Sequence, residues 1–273
     1  MNKPIFEDFL RTRVALTDDM DDFGSQLQRT THRNGLKTKL VVAIDFGTTY
    51  TGVAYAHSTT NLLTAGSSLT PEQIRDKITV VKSWPNVQSS YSEKVPTVIA
   101  YENDRPVAWG GKVKSTHSIQ VSNFKLGLQA GTREHYGISQ NGESALGGFL
   151  LDANWTHPDL PSKRAIDYAT DYLREIRTYI NETVFPKEFG KIFLAQQDIK
   201  YVLTVPAIWN DKGKDQTMKA AINAGFEEAD LTLVTEPEAA ALYCSTLCHE
   251  VDLIDGDCFL ICDAGGGTVV SNS

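Results

Sequence analysis

The run Leu40-Val41-Val42-Ala43-Ile44 is apolar and rich in β-branched residues, stops at Asp45, and turns through Phe46-Gly47-Thr48-Thr49-Tyr50. It reads as a buried strand with a glycine turn, and Thr51 to Ala56 as its hairpin partner. Near the other end Phe259-Leu260-Ile261-Cys262 leads into Asp263-Ala264-Gly265-Gly266-Gly267-Thr268, which repeats the rule of strand, aspartate, glycine turn and threonine. Between them, Ile166, Ala169, Tyr172, Leu173, Ile176, Tyr179, Ile180 and Val184 recur at helical spacing and predict one long amphipathic helix from Ser162 to Phe185. A buried strand Tyr201–Pro206, a helix from Lys212 to Ala224 closed by Gly225, a strand Leu231–Val234 and a helix opening at Pro237 follow. Strands alternating with helices predict an α/β fold on a mixed sheet.

From 78 to 148 the pattern is less regular, with Val95–Tyr101 and Pro106–Gly110 as the clearest strands and 127–148 as a glycine-rich surface excursion. Residues 1–38 are polar, with Asp18, Asp19, Asp21 and Asp22 followed by Arg29, Arg33 and Lys37, and read as a flexible tail.

A strand ending in Asp-x-Gly sets a carboxylate beside a turn whose backbone N–H groups can face an anion. The carboxylate would repel phosphate directly, so the pairing makes chemical sense if hydrated Mg²⁺ lies between them. Two such loops held opposite each other would clamp a triphosphate.

The chain has 273 residues, 41% of them hydrophobic, and a formal net charge of -8, with a pI of about 5.3. That is enough chain for a sizeable core, and the acidic balance argues against nucleic acid as a partner. No apolar run reaches membrane-spanning length and the N-terminus lacks a signal-peptide pattern, so no membrane association is expected and the chain reads as cytoplasmic. Cys244, Cys248, Cys258 and Cys262 form two C-x3-C pairs, which fit a helix and a strand face better than a zinc knuckle.

Four segments in this order, Ile44–Tyr50, Val205-Pro206-Ala207-Ile208-Trp209-Asn210-Asp211, Thr235-Glu236-Pro237-Glu238-Ala239-Ala240-Ala241 and Asp263–Thr268, resemble the ATPase domain of the heat-shock protein 70 family, within the actin-like ATPase superfamily. Trp84-Pro85 and Trp109-Gly110 resemble its divergent members that lack a conventional peptide-binding domain. The resemblance implies a ribonuclease-H-like first lobe over 39–250, with about 78–148 as an inserted subdomain. It also implies that 251–273 begins a second lobe that is left incomplete. By the same resemblance the chain binds ATP or ADP with Mg²⁺ and hydrolyses ATP, with co-chaperones or client proteins as partners.

Residue by residue, the resemblance gives Asp45 and Asp263 to the hydrated magnesium, and Gly47, Thr48, Thr49 and Tyr50 to the first phosphate loop. Gly265, Gly266, Gly267 and Thr268 would form the second. Lys125, in Asn123-Phe124-Lys125-Leu126, would position the attacking water, Glu236 would lie near that water, and Pro206 would relay nucleotide state between lobes. Plainer readings stand beside these: Lys125 as an exposed lysine, Glu236 as a helix cap, Pro206 as a strand end, Thr48 and Thr49 as turn residues. A strand over 258–262 is expected to lack sheet partners within the chain, because the family's next strands would lie beyond Ser273. Two rival functions remain: a non-catalytic interaction module, and a sugar- or glycerol-kinase-like phosphotransferase.

Overall fold

A computed structural model describes residues 39–58, 77–87, 92–129, 157–195, 197–247, 261–264 and 269–272. The tail 1–38, most of the 127–148 excursion, Cys248, Cys258 and the second glycine turn lie outside the described residues. The fold is α/β on a mixed sheet. Strand β1 (Lys39–Phe46) is central, antiparallel to β2 (Tyr50–Ser58) on one side and parallel to β8 (Asp198–Val205) on the other. Beyond β8 lies β9 (Leu231–Thr235), also parallel, while β3 (Ile78–Val80) and β4 (Lys94–Pro96) share the far edge of β2.

A period of two explains β1. Leu40, Val42, Ile44 and Phe46 are completely buried, and the alternate positions face the other side. Under that inner face packs α1 (Ala165–Tyr179), whose Tyr168, Ala169, Tyr172, Leu173 and Ile176 are buried as the helical spacing predicts. Phe46, Phe124 and Tyr172 form an aromatic cluster with ring centroids 5.7 to 6.3 Å apart. The helix does not run unbroken to Phe185: a π turn spans Ile180–Val184 and α2 (Phe185–Phe189) follows. Pro186 has no N–H to close the regular ladder there, which accounts for the local widening. Gly190, at φ 78°, ends α2 ahead of α3 (Lys191–Leu194).

The expected single strand over Val95–Tyr101 is two. Backbone bonds to β2 hold β4, then the chain leaves the large sheet at Thr97, and β5 (Val98–Glu102) pairs with β6 (Arg105–Trp109) and β7 (Ile119–Ser122) in a second, three-stranded sheet. Pro106 is tolerated because β6 is an edge strand. After β7, Asn123 takes a left-handed conformation, φ 58°, and starts a 3-10 helix over Phe124–Leu128 whose residues are all buried. Gly127 and Leu128 are therefore core rather than the start of a surface excursion.

Helix α4 (Asp211–Asn223) is capped by Asn210, whose side chain accepts the Gly213 N–H at 3.0 Å, and Gly225 at φ 97° closes it as expected. Helix α5 (Glu236–Leu247) leaves β9 without a linker. The strand expected to lack a partner has one: β10 (Ile261–Ala264) pairs antiparallel with β11 (Val269–Asn272). No helix among the described residues is long and apolar enough to cross a membrane.

Candidate functional site

The parallel strands β1, β8 and β9 end at one edge. Register pairs Ile44 with Leu203 and Val205 with Thr235, so Asp45, Pro206 and Glu236 arrive together at the carboxyl ends of three neighbouring strands. Ligands of open α/β sheets bind at such edges.

Asp45 is the last outward-facing residue of β1, with 44% of its side chain exposed. Its Oδ1 accepts the Thr204 hydroxyl at 3.1 Å, and its Oδ2 accepts Lys94 Nζ at 2.8 Å. The turn after it is tight: Gly47 N–H donates to the Asp45 carbonyl at 3.1 Å, and a Cβ on Gly47 would stand 2.2 Å from the Tyr50 carbonyl oxygen. Only glycine fits that approach. Thr97, the residue after β4, braces the turn, its N–H donating to the Thr49 carbonyl at 2.8 Å and its hydroxyl to the Gly47 carbonyl at 3.0 Å. Thr48 and Thr49 are half-buried and Tyr50 is exposed, so the loop is supported from below and open above.

Lys125 is not an exposed lysine. Its side chain is 2% exposed, its Nζ lies 2.6 Å from Glu236 Oε1, and the Phe46 and Trp209 rings flank the ammonium at 5.6 and 5.7 Å. Burying such a charge is costly unless it is paired, and here a carboxylate and two aromatic faces meet it. Glu236 is not the cap of α5 either. Thr235 and Glu238 form a reciprocal capping box, with the Thr235 N–H bonded to Glu238 Oε2 at 3.1 Å and the Glu238 N–H to Thr235 Oγ1 at 3.4 Å. Two acids in one helical turn thus do different work.

Of the remaining positions singled out, Asp263 lies on β10 opposite Val270, and Gly265, Gly266, Gly267 and Thr268 fall outside the described residues. Sequence reasoning missed Lys94, Thr204, Thr97 and Trp209. Trp209 Nε1 is buried without a hydrogen-bond partner among the described residues, beside Lys125. The Thr-x-x-Glu spacing of the capping box was readable, but the contacts of Lys94 and Thr204 depend on strand register.

No protein-family profile matches the chain. Curated proteins do: it is 29% identical over 218 residues to "Heat shock 70 kDa protein 12A" of Mus musculus, covering 76% of this chain and 29% of that protein. It is 28% identical over 231 residues to "Chaperone protein HscA homolog" of Rickettsia felis, covering 84% of this chain and 29% of the relative. The homologue of Rickettsia bellii is 26% identical over 236 residues, covering 85% of this chain and 32% of its own length. The chain thus spans about a third of the length of these relatives. These relatives are heat-shock protein 70 family proteins, and similarity to them over 76–85% of the chain supports a divergent domain of that family.

Proposed function

We propose that the chain binds ATP or ADP at the carboxyl edge of β1, β8 and β9, as a ribonuclease-H-like first lobe of an actin-like ATPase. The first lobe would be 39–250 with about 78–148 inserted, and 251–273 would begin the second. The observation that carries this reading is the buried Lys125–Glu236 pair at 2.6 Å, at the same sheet edge as the half-exposed Asp45 and its glycine turn. A buried ion pair is a poor way to stabilise a core, and its placement beside a phosphate-type loop gives it a use.

The Asp45 environment fits a hard cation. Its carboxylate is half-exposed, oriented by Thr204, and already holds an ammonium group. Magnesium bound there would neutralise phosphate charge, with Asp263 as the second carboxylate. The chain's own residues do the rest: the turn Gly47–Tyr50 would offer backbone N–H groups to phosphate, and the segment 265–268, between β10 and β11, would do the same. Lys125 Nζ has three N–H donors and gives one to Glu236, which fixes the ammonium in place. Held so, it would orient a water against the terminal phosphate and stabilise charge on it, because phosphoryl transfer depends on positioning and electrostatics. A cytoplasmic chaperone role, with co-chaperones or clients as partners, belongs to the same proposal.

Calorimetric titration of the chain with ATP and ADP, with and without magnesium, tests the binding. Phosphate release with and without glycerol or hexose separates an ATPase from a sugar-kinase-like enzyme. A folded chain that binds neither nucleotide overturns the proposal in favour of an interaction module.

A further inference from the structure

The register of β1, β2 and β4 sets three residues in one row: Asp45 lies opposite Gly52, and Gly52 opposite Lys94. Neighbours across a sheet point to the same face, so Lys94 and Asp45 rise on one side with a glycine between them. The lysine stem crosses that gap. A Cβ at Gly52 would be 3.4 Å from Lys94 Cγ and 3.6 Å from Lys94 Cε, so the missing side chain is the lane through which the ammonium reaches Asp45 at 2.8 Å. The neighbouring Glu93 pairs with Lys82 at 2.9 Å instead. Strand β4 is fastened to the phosphate-type turn itself through Thr97, so Lys94 is held next to that turn whatever its head group touches.

An exposed ion pair of this kind, with side chains 54% and 44% exposed, adds little to stability. Its geometry suits something else. The chain carries a net charge of -8, so a polyphosphate needs local cations to approach, and Lys94 is one placed by three strands at the loop.

We propose that Lys94 is a resident cation of the phosphate site: it holds Asp45 in the empty site and swings to the nucleotide's polyphosphate once that carboxylate is engaged by magnesium. This rests on the nucleotide reading above and gives a role to a residue that reading leaves without one. In the absence of magnesium, Lys94 screens Asp45 and lets the polyphosphate bind. Only side-chain torsions need change, since the backbone of β4 stays paired.

The test compares the Kd for ADP in magnesium and in EDTA for the wild type, Lys94→Gln and Lys94→Arg. Loss of a charged hydrogen bond at a half-exposed position should weaken metal-free ADP binding of Lys94→Gln about tenfold. Binding with magnesium should stay within about threefold, because losing the phosphate contact is offset by freeing Asp45, so the ratio of the two affinities rises about tenfold. Lys94→Arg restores the wild-type ratio. An unchanged ratio in Lys94→Gln, or a wild type that binds ADP only with magnesium, overturns the role of Lys94 while leaving the nucleotide site standing. Folded proteins that bind ADP under neither condition overturn the nucleotide reading and Lys94 with it.

Discussion

Lys125 and Glu236 are 111 positions apart in the chain, yet their side chains meet at 2.6 Å between the Phe46 and Trp209 rings. Removing one partner leaves the other charge buried and unpaired. Glu236→Leu alone should therefore cost about 3 kcal/mol, and Lys125→Met combined with Glu236→Leu should cost clearly less than the sum of the single changes. Urea unfolding of the four proteins measures this, and additive costs would mean that the pair is not coupled. On the proposed chemistry, Lys125→Met should also lower single-turnover hydrolysis roughly a hundredfold while nucleotide still binds.

Asp45→Asn should weaken magnesium-dependent ADP binding without unfolding the chain. The side chain is half-exposed, and the amide keeps an oxygen for the Thr204 hydroxyl. Calorimetry with and without magnesium reads the first effect and a thermal melt the second. Equal binding by both proteins would remove Asp45 from the site.

Gly47→Ala acts through shape. The added methyl would lie 2.2 Å from the Tyr50 carbonyl oxygen, so the turn must open. A cost of about 1–3 kcal/mol in unfolding free energy is expected, together with loss of nucleotide binding. A variant as stable as the wild type, with an unaltered affinity, would show that the turn relaxes freely.

Two buried phenols give the protein an alkaline limit. Burial, and for Tyr101 the neighbouring Asp171 carboxylate that it hydrogen-bonds at 3.0 Å, raise the pKa values of Tyr101 and Tyr172 well above the ordinary 10.0. The folded state keeps these protons where the unfolded chain releases them. Their stabilisation is therefore complete below about pH 10 and is lost as pH rises beyond it, on the order of 1 kcal/mol per phenol by about pH 11. Tyr101→Phe should be less stable at neutral pH, for want of its bond to Asp171, but should lose less between about pH 10 and pH 11 in parallel urea melts. Equal alkaline slopes would refute this.

Local pattern made much of the frame legible. The inward alternation of Leu40, Val42, Ile44 and Phe46, the helical spacing of Tyr172 and Ile176, and the glycine closing α4 each follow from a few adjacent residues. Asp45, Gly47, Lys125 and Glu236 were found through motifs, and the structure brings all four to one region of the fold. What escaped depends on long-range pairing. Val95–Tyr101 is one apolar run that two sheets divide at Thr97, and nothing local marks the break. Lys94 meets Asp45 only because of the register of three strands. The pairing of β10 with β11 is likewise unmarked by any local pattern.

The division between Glu238, which ties down the start of α5, and Glu236, which faces Lys125, also matters for how this region can vary. Were one carboxylate responsible for both tasks, any change that retuned the lysine would fray the helix. With the tasks split, Glu236 can be exchanged for glutamine, which still offers Lys125 an oxygen, while α5 stays wound. On the proposed chemistry, a lineage or an engineer can therefore slow or silence hydrolysis at this edge and keep the scaffold, leaving a protein that simply holds its ligand.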